Sequence, residues 1–79
     1  MKTKPNADNP TLKTRHRILQ YLRLTKNRLT DRELMRDLGY DDLYTVRRRT
    51  SDLYRDGLIY IDTIVEENGH PNRVWRSVV

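Results

Sequence analysis

The stretch over residues 30–61 most constrains how this chain can fold, because it marks the start of a helix with several residues at once. Thr30 can cap a helix, and Glu33, three residues later, can reach back to the Thr30 amide in the capping-box pattern. Leu29 and Leu34 stand on either side of this box, at the two positions of a hydrophobic staple. The sequence therefore predicts a helix that begins at Thr30.

A second helix is predicted after a short turn that begins at Gly39, since glycine readily takes the left-handed conformation that ends a helix. Asp41 can cap this second helix, and we expect it to stop at Gly57. On a helical wheel its residues divide into an apolar and a polar face. The apolar face comprises Leu43, Val46, Thr50 and Leu53, and the polar face comprises Tyr44, Arg48, Ser51 and Arg55, with Thr45 and Arg47 flanking it. Together these elements predict a helix-turn-helix.

Another helix is predicted ahead of this unit. Asn9 and Pro10 supply a cap and a first-turn proline for a helix that runs through about Leu24. Its buried residues are predicted to be Leu12, Ile18, Leu19 and Leu22. Arg15 falls inside this arc, so we expect its stem to lie along the edge of the core while its guanidinium reaches an acid or solvent.

A C-terminal hairpin is predicted from two runs rich in β-branched and aromatic residues, 58–65 and 73–79. Segment 66–72 between them contains an Asn-Gly pair and a proline, which favour a turn. We expect Trp75 to pack the hairpin onto the helices and not to stack on a base, because no neighbouring aromatic offers a second stacking site. Leu29 could contribute one or two residues to a short edge strand.

Composition and residue types bound the remaining possibilities. The 79 residues predict one domain over 9–79, preceded by a disordered basic tail over 1–8. The chain has no cysteine, and its two histidines, His16 and His70, belong to separate predicted elements without a paired acid. We therefore expect neither an enzyme nor a cofactor or metal site. The longest apolar run is too short for a membrane span and no signal-peptide pattern is present, so we expect a cytoplasmic protein.

The charge distribution favours an acidic partner. The formal net charge is +5, and residues 10–28 carry six basic and no acidic residues. Arg17 belongs to this basic segment. By themselves, three consecutive arginines at 47–49 are as consistent with a solvated surface as with a nucleic-acid contact. The helix-turn-helix pattern around them favours nucleic acid.

The order of these elements resembles the winged helix-turn-helix DNA-binding domains of small bacterial and bacteriophage regulators, including the DNA-binding core of the MarR-like group. The segments LTDRELMRDLG, TVRRRTSDLYRDGLI and RVWRSV carry the likeness, which covers about residues 10–79. It implies an α+β fold, mainly α, with three helices and a C-terminal two-stranded β-hairpin as the wing. The third helix would enter the major groove and the wing would touch the backbone or minor groove.

This resemblance implies a sequence-specific double-stranded DNA-binding protein, a repressor-like transcriptional regulator. The implied DNA-binding residues are Tyr44, Thr45, Arg47, Arg48, Ser51 and Arg55 on the third helix, Thr30 and Arg17 ahead of it, and Asn72 and Arg73 on the wing.

Two features depart from the pattern. Glu66 and Glu67 lie at the wing tip, where DNA-binding wings usually bring a positive residue. The flanking helices that dimerise MarR-like proteins are missing, so we expect a monomer or a weak homodimer. The acidic wing supports an alternative function, a protein-interaction adaptor or a phage-encoded inhibitor of a host protein. RNA binding is disfavoured, because no aromatic pair is placed to stack unpaired bases.

Overall fold

The computed structural model describes residues 10–26 and 28–78. In chain order these form α1 (Pro10–Thr25), β1 (Leu29–Thr30), α2 (Asp31–Leu38), α3 (Leu43–Arg55), β2 (Ile59–Glu67) and β3 (His70–Ser77). The predicted tail over 1–8, the predicted cap at Asn9 and the side chain of Leu12 lie outside the described part of the chain.

The predicted fold class is wrong in its sheet, which has three antiparallel strands in the order β1-β3-β2 and not two. Leu29 pairs with Trp75, and Thr30 pairs with Val74. The third strand forms because Thr30, as the cap of α2, is extended, with φ −82° and ψ 168°. An extended segment has unpaired backbone N–H and C=O groups, and here they pair with β3. β3 is therefore the central strand of the sheet.

The predicted capping box at the start of α2 is confirmed. The Thr30 side-chain oxygen accepts a hydrogen bond from the Glu33 amide at 3.2 Å, and the Thr30 amide donates to Glu33 Oε1 at 2.9 Å. At the other end, Gly39 has φ 79°, and the Tyr40 amide donates to the Met35 carbonyl at 2.9 Å. Both ends of this eight-residue helix are thus fixed by the residue types that its sequence provides.

The cap of α3 is Asp42, one residue later than the predicted Asp41. Asp42 Oδ1 accepts from the Tyr44 amide at 3.0 Å, a bond that only the residue directly before the first helical position can make. The helix ends at Arg55, and the Leu58 amide donates back to the Leu53 carbonyl at 3.0 Å. Gly57, the predicted stop, takes the left-handed conformation that this bond requires, with φ 77°.

The core lies between the helices and one face of the sheet. It consists of Ile18, Leu19 and Leu22 from α1, Leu29 and Leu34 around the start of α2, Val46 and Leu53 from α3, and Ile59 and Trp75 from the sheet. The core position predicted for Trp75 is confirmed, since this side chain is only 1% exposed. The predicted contact of the Arg15 guanidinium with an acid is also confirmed, because its Nη2 lies 2.5 Å from Asp56 Oδ2.

The hairpin is longer and its turn tighter than predicted. β2 and β3 pair as far as Glu67 and His70, so the turn contains only Asn68 and Gly69, with φ 52° and 80°. Two residues with positive φ form the type of turn that matches the twist of a hairpin, and Asn-Gly is its preferred sequence. The predicted loop over 66–72 is thus wrong, because the Asn-Gly pair alone completes the turn.

A hydrogen bond between α1 and α2 shifts the pKa of a tyrosine side chain. The Tyr21 hydroxyl donates to Asp37 Oδ2 at 2.9 Å, and this hydrogen bond, with burial and the nearby charge, raises the pKa of Tyr21 above its usual 10.0. The contact therefore stabilises the fold fully below the unfolded-state pKa, and this stability is lost as the pH rises through the folded-state pKa.

Replacing Asp37 by Asn should lower the pKa of Tyr21 towards the ordinary tyrosine value, since it removes the negative charge of the carboxylate that accepts the Tyr21 hydrogen bond. The measurement is tyrosinate absorbance against pH in the wild type and in Asp37→Asn, with Tyr21→Phe identifying the Tyr21 step. An identical Tyr21 step in both proteins would contradict the contact.

Candidate nucleic-acid interface

One face of α3 is fixed against the rest of the fold. Val46, Thr50 and Leu53 are buried as predicted. Arg49, which was not predicted to be buried, is buried too, and its Nη2 lies 3.4 Å from Asp52 Oδ2. The three consecutive arginines are therefore not equivalent, because Arg49 belongs to the buried face. The i, i+3, i+4, i+7 spacing from Val46 to Leu53 includes position 49, so this pattern could have identified Arg49.

The opposite face of α3 presents an exposed surface, which we call the outer face and define by Tyr44, Arg48 and Ser51. Tyr44 is 63% exposed although it is a large aromatic residue. The Arg48 guanidinium carbon lies 5.5 Å from the centroid of the Tyr44 ring. This stacking orients a guanidinium whose N–H groups can still donate to a phosphate or a guanine edge.

Two further predicted site residues of α3, Thr45 and Arg55, already contact aspartates close to them in the sequence. The Thr45 hydroxyl donates to Asp42 Oδ2 at 3.0 Å. Arg55 donates to Asp52 Oδ1 at 2.5 Å, although most of its side chain is exposed. The Thr45 hydroxyl is thus part of the helix cap, while Arg55 remains accessible at the C-terminal end of the helix.

A groove of about 270 Å³ separates α3 from the hairpin, and it is lined by Asp31, Arg47, Ser51, Pro71, Asn72, Arg73 and Trp75. It brings together four predicted DNA-binding residues from two distant parts of the chain: Arg47, Ser51, Asn72 and Arg73. The Arg73 guanidinium carbon lies 6.0 Å from the Tyr54 ring and 5.9 Å from the Trp75 ring. We call this feature the α3–hairpin groove.

Asp31 lies at the base of this groove, and nothing in the sequence indicated it as a candidate site residue. Its Oδ1 accepts hydrogen bonds from Thr50 Oγ1 and from Trp75 Nε1, both at 2.8 Å. Its Oδ2 lies 3.8 Å from Arg47 Nε. One carboxylate therefore joins α2, α3 and β3, and it also contacts an arginine of the candidate site.

Two predicted site residues are engaged elsewhere. Thr30 is buried, and its hydroxyl serves the capping box, so it offers nothing to a ligand on the surface. Arg17 donates to the Tyr40 hydroxyl and to the Leu38 carbonyl, both at 3.1 Å, and its guanidinium lies over the Tyr40 ring. Arg17 thus stabilises the end of α2 from α1.

The acidic hairpin tip adjoins the groove. Asn72 Nδ2 donates to Glu67 Oε1 at 3.4 Å and to the His70 carbonyl at 3.3 Å. A second depression of about 440 Å³ is lined by Arg32, Leu43, Arg47, Glu67, Asn68, His70, Pro71 and Asn72. Arg47 borders both depressions, so it lies between the basic outer face and the acidic tip.

Comparison with known proteins identifies no relative, since no protein-family model, curated protein or solved structure matches the chain. Within residues 10–26 and 28–78, no cluster of three or more His, Asp or Glu side chains has the arrangement of a metal site. In the same ranges, no helix has both the length and the apolar character needed to cross a membrane.

Proposed function

We propose that this protein binds double-stranded DNA in a sequence-specific manner and acts in the cytoplasm as a repressor-like transcriptional regulator. α3 would read the major groove, and Asn72 and Arg73 of the hairpin would contact the adjacent backbone. One observation carries the proposal: the outer face exposes Tyr44, Arg48 and Ser51 on a helix whose opposite face is buried.

The chemistry of the outer face supports this proposal. An α-helix fits the major groove, and an arginine can donate two hydrogen bonds to the O6 and N7 atoms of guanine. Arg48 has the donors for this contact, and Ser51 can donate to or accept from a base or a phosphate. The caps and the buried face hold α3 rigidly, so these side chains are presented in a defined geometry.

Arg48→Ala should weaken binding to a recognised duplex by about 1 to 3 kcal/mol if Arg48 contacts a base edge, and should relax the preference at one base pair. The fold should remain intact because the side chain is exposed. The measurement is fluorescence anisotropy with labelled duplexes, together with thermal melting of the protein.

Arg76→Ala is the matched control for that measurement. It removes the same charge from an exposed position on β3, where the neighbouring Trp75 faces the core and Arg76 faces away from the helices. It should change duplex affinity less than Arg48→Ala does. Equal effects of the two substitutions would mean that net charge, and not the outer face, determines binding.

Selection from a random duplex pool, repeated at two salt concentrations, tests the function itself. A recovered sequence motif that depends on Arg48 would support specific recognition. Binding without a motif would reduce the proposal to sequence-independent attraction, and absence of binding would contradict it.

A protein-docking function is the second candidate, because the end of the hairpin combines exposed apolar and acidic side chains. Ile64 is 57% and Val65 is 38% exposed, and both precede Glu66 and Glu67 on β2. A single host or phage protein with a basic rim would complement this surface.

Replacing both Glu66 and Glu67 by lysine distinguishes the two candidate functions. If the glutamates only face away from DNA, the added positive charge should tighten sequence-independent duplex binding and steepen its salt dependence. Duplex affinity and regulation of a reporter are measured in parallel. Loss of regulation with unchanged or tighter duplex binding would assign the hairpin tip to protein docking.

A further inference from the structure

We propose that Asp31 is a positioning residue that restrains Arg47 and thereby limits sequence-independent DNA binding; this inference rests on the proposed function. It concerns a residue outside the outer face, at the base of the α3–hairpin groove. Asp31 would raise the specificity of recognition by holding back a positive charge that any phosphate could otherwise attract.

The Asp31 carboxylate is held in a fixed position by two hydrogen bonds. Its side chain is 17% exposed, and Oδ1 is occupied by the hydrogen bonds from Thr50 and Trp75. These bonds come from α3 and β3, so the carboxylate cannot swing away from the groove. Its second oxygen, Oδ2, therefore presents a fixed negative charge towards the groove.

Arg47 lies opposite the negative charge of Asp31. Its Nε lies 3.8 Å from Asp31 Oδ2, and its side chain is 54% exposed. Arg47 therefore has both an internal partner and access to solvent. A DNA phosphate near the groove has to compete with Asp31 for Arg47. Arg48 instead stacks on the neutral ring of Tyr44, and no acidic side chain in the described part of the chain pairs with it.

This competition would act differently on specific and sequence-independent complexes. A recognised duplex gains additional contacts at the outer face, which can offset the separation of Arg47 from Asp31. Other duplexes offer phosphates alone, so Arg47 would remain paired with Asp31. No phosphate would then be neutralised by Arg47, and no counterion would be released from the DNA there. The Asp31 charge would thus weaken the sequence-independent complex more than the specific one, which raises specificity without adding contacts to the recognised duplex.

Asp31→Asn tests the proposal in the full chain, because asparagine keeps an acceptor for Thr50 and Trp75 but removes the charge facing Arg47. On a scrambled duplex, the slope of log affinity against log salt should steepen by up to about 0.9 unit, the value of one extra phosphate contact. The ratio of affinities for the selected and the scrambled duplex should fall. A purely structural role of Asp31 would lower the melting temperature but leave the slope unchanged.

Asp62→Asn is the matched control. The Asp62 side chain is also 17% exposed and pairs with Arg28 at 3.3 Å and Arg76 at 4.0 Å, away from the groove. It makes the same change in net charge, so an equal steepening in this variant would overturn the proposal. The Asp31→Asn, Arg47→Gln double variant should restore the wild-type slope, and a slope that stays steep would also overturn it.

Substitutions in the wild-type background give a second test that holds even if Asp31→Asn does not fold. Arg47→Gln should hardly alter the salt slope on the scrambled duplex, while Arg48→Gln should flatten it by about 0.9 unit. Equal flattening by both would overturn the restraint by Asp31 and leave the proposed function intact. Absence of duplex binding by the wild type would instead contradict the proposed function itself.

Discussion

Trp75→Ala should destabilise the protein by about 3 to 5 kcal/mol, the usual cost of removing a buried tryptophan side chain. Trp75 is buried at the centre of the sheet, its ring centroid lies 5.5 Å from that of Tyr54, and its Nε1 donates to Asp31. For a domain whose stability lies near the low end of about 5 to 15 kcal/mol, this loss would leave a substantial fraction of the molecules unfolded. The measurement is urea unfolding followed by far-ultraviolet circular dichroism.

Trp75→Phe is the control, since it keeps an aromatic ring in the core but removes the N–H donor. It should cost less than Trp75→Ala. Normal unfolding of Trp75→Ala combined with loss of duplex binding would show that Trp75 stacks on a base and does not serve the core.

Asp31→Ala should have the second large effect, because it removes the acceptor that two buried donors share. Thr50 Oγ1 and Trp75 Nε1 both donate to Asp31 Oδ1. An unsatisfied buried donor costs about 1 to 3 kcal/mol, so the loss would be about 2 to 6 kcal/mol if both donors stayed unpaired. The Thr50 hydroxyl also reaches the Arg47 carbonyl at 3.2 Å, which places its share at the low end.

Asp31→Asn is the comparison that isolates the acceptor, since it keeps one oxygen in place. Denaturant unfolding of both variants should show a markedly smaller loss for Asn than for Ala. Equal losses would mean that the charge of Asp31, and not its hydrogen bonds, stabilises the fold.

Features encoded over a few residues were predictable from the sequence. The two residues of the capping box, Thr30 and Glu33, lie three positions apart, and the bonds that end α3 at Gly57 join residues at most five positions apart. The two faces of α3 follow from a helical period that the sequence displays directly. These features could be predicted because each depends on chemistry within one or two helical turns.

The features that were mispredicted or missed depend on partners far along the chain. Asp31 bonds to residues 19 and 44 positions away, and nothing near it in the sequence indicates either partner. The short edge strand at Leu29 was expected, but its pairing with Trp75 on β3 was not, because nothing near Leu29 in the sequence indicates that partner. The charge of Arg17 gives no indication of its contacts in the folded chain, which are the Tyr40 hydroxyl and the Leu38 carbonyl.

The central position of β3 has a consequence for the order in which the chain can fold during synthesis. Within residues 10–26 and 28–78, β1 and β2 pair only with β3, which is the last of the three strands to leave the ribosome. The helices can form from local contacts while the chain is growing, but the sheet and the Trp75 contacts that close the core have to wait for it. A nascent chain that ends before His70 would therefore expose the apolar faces of its helices, and release of the C-terminal strand would complete the fold in one late step.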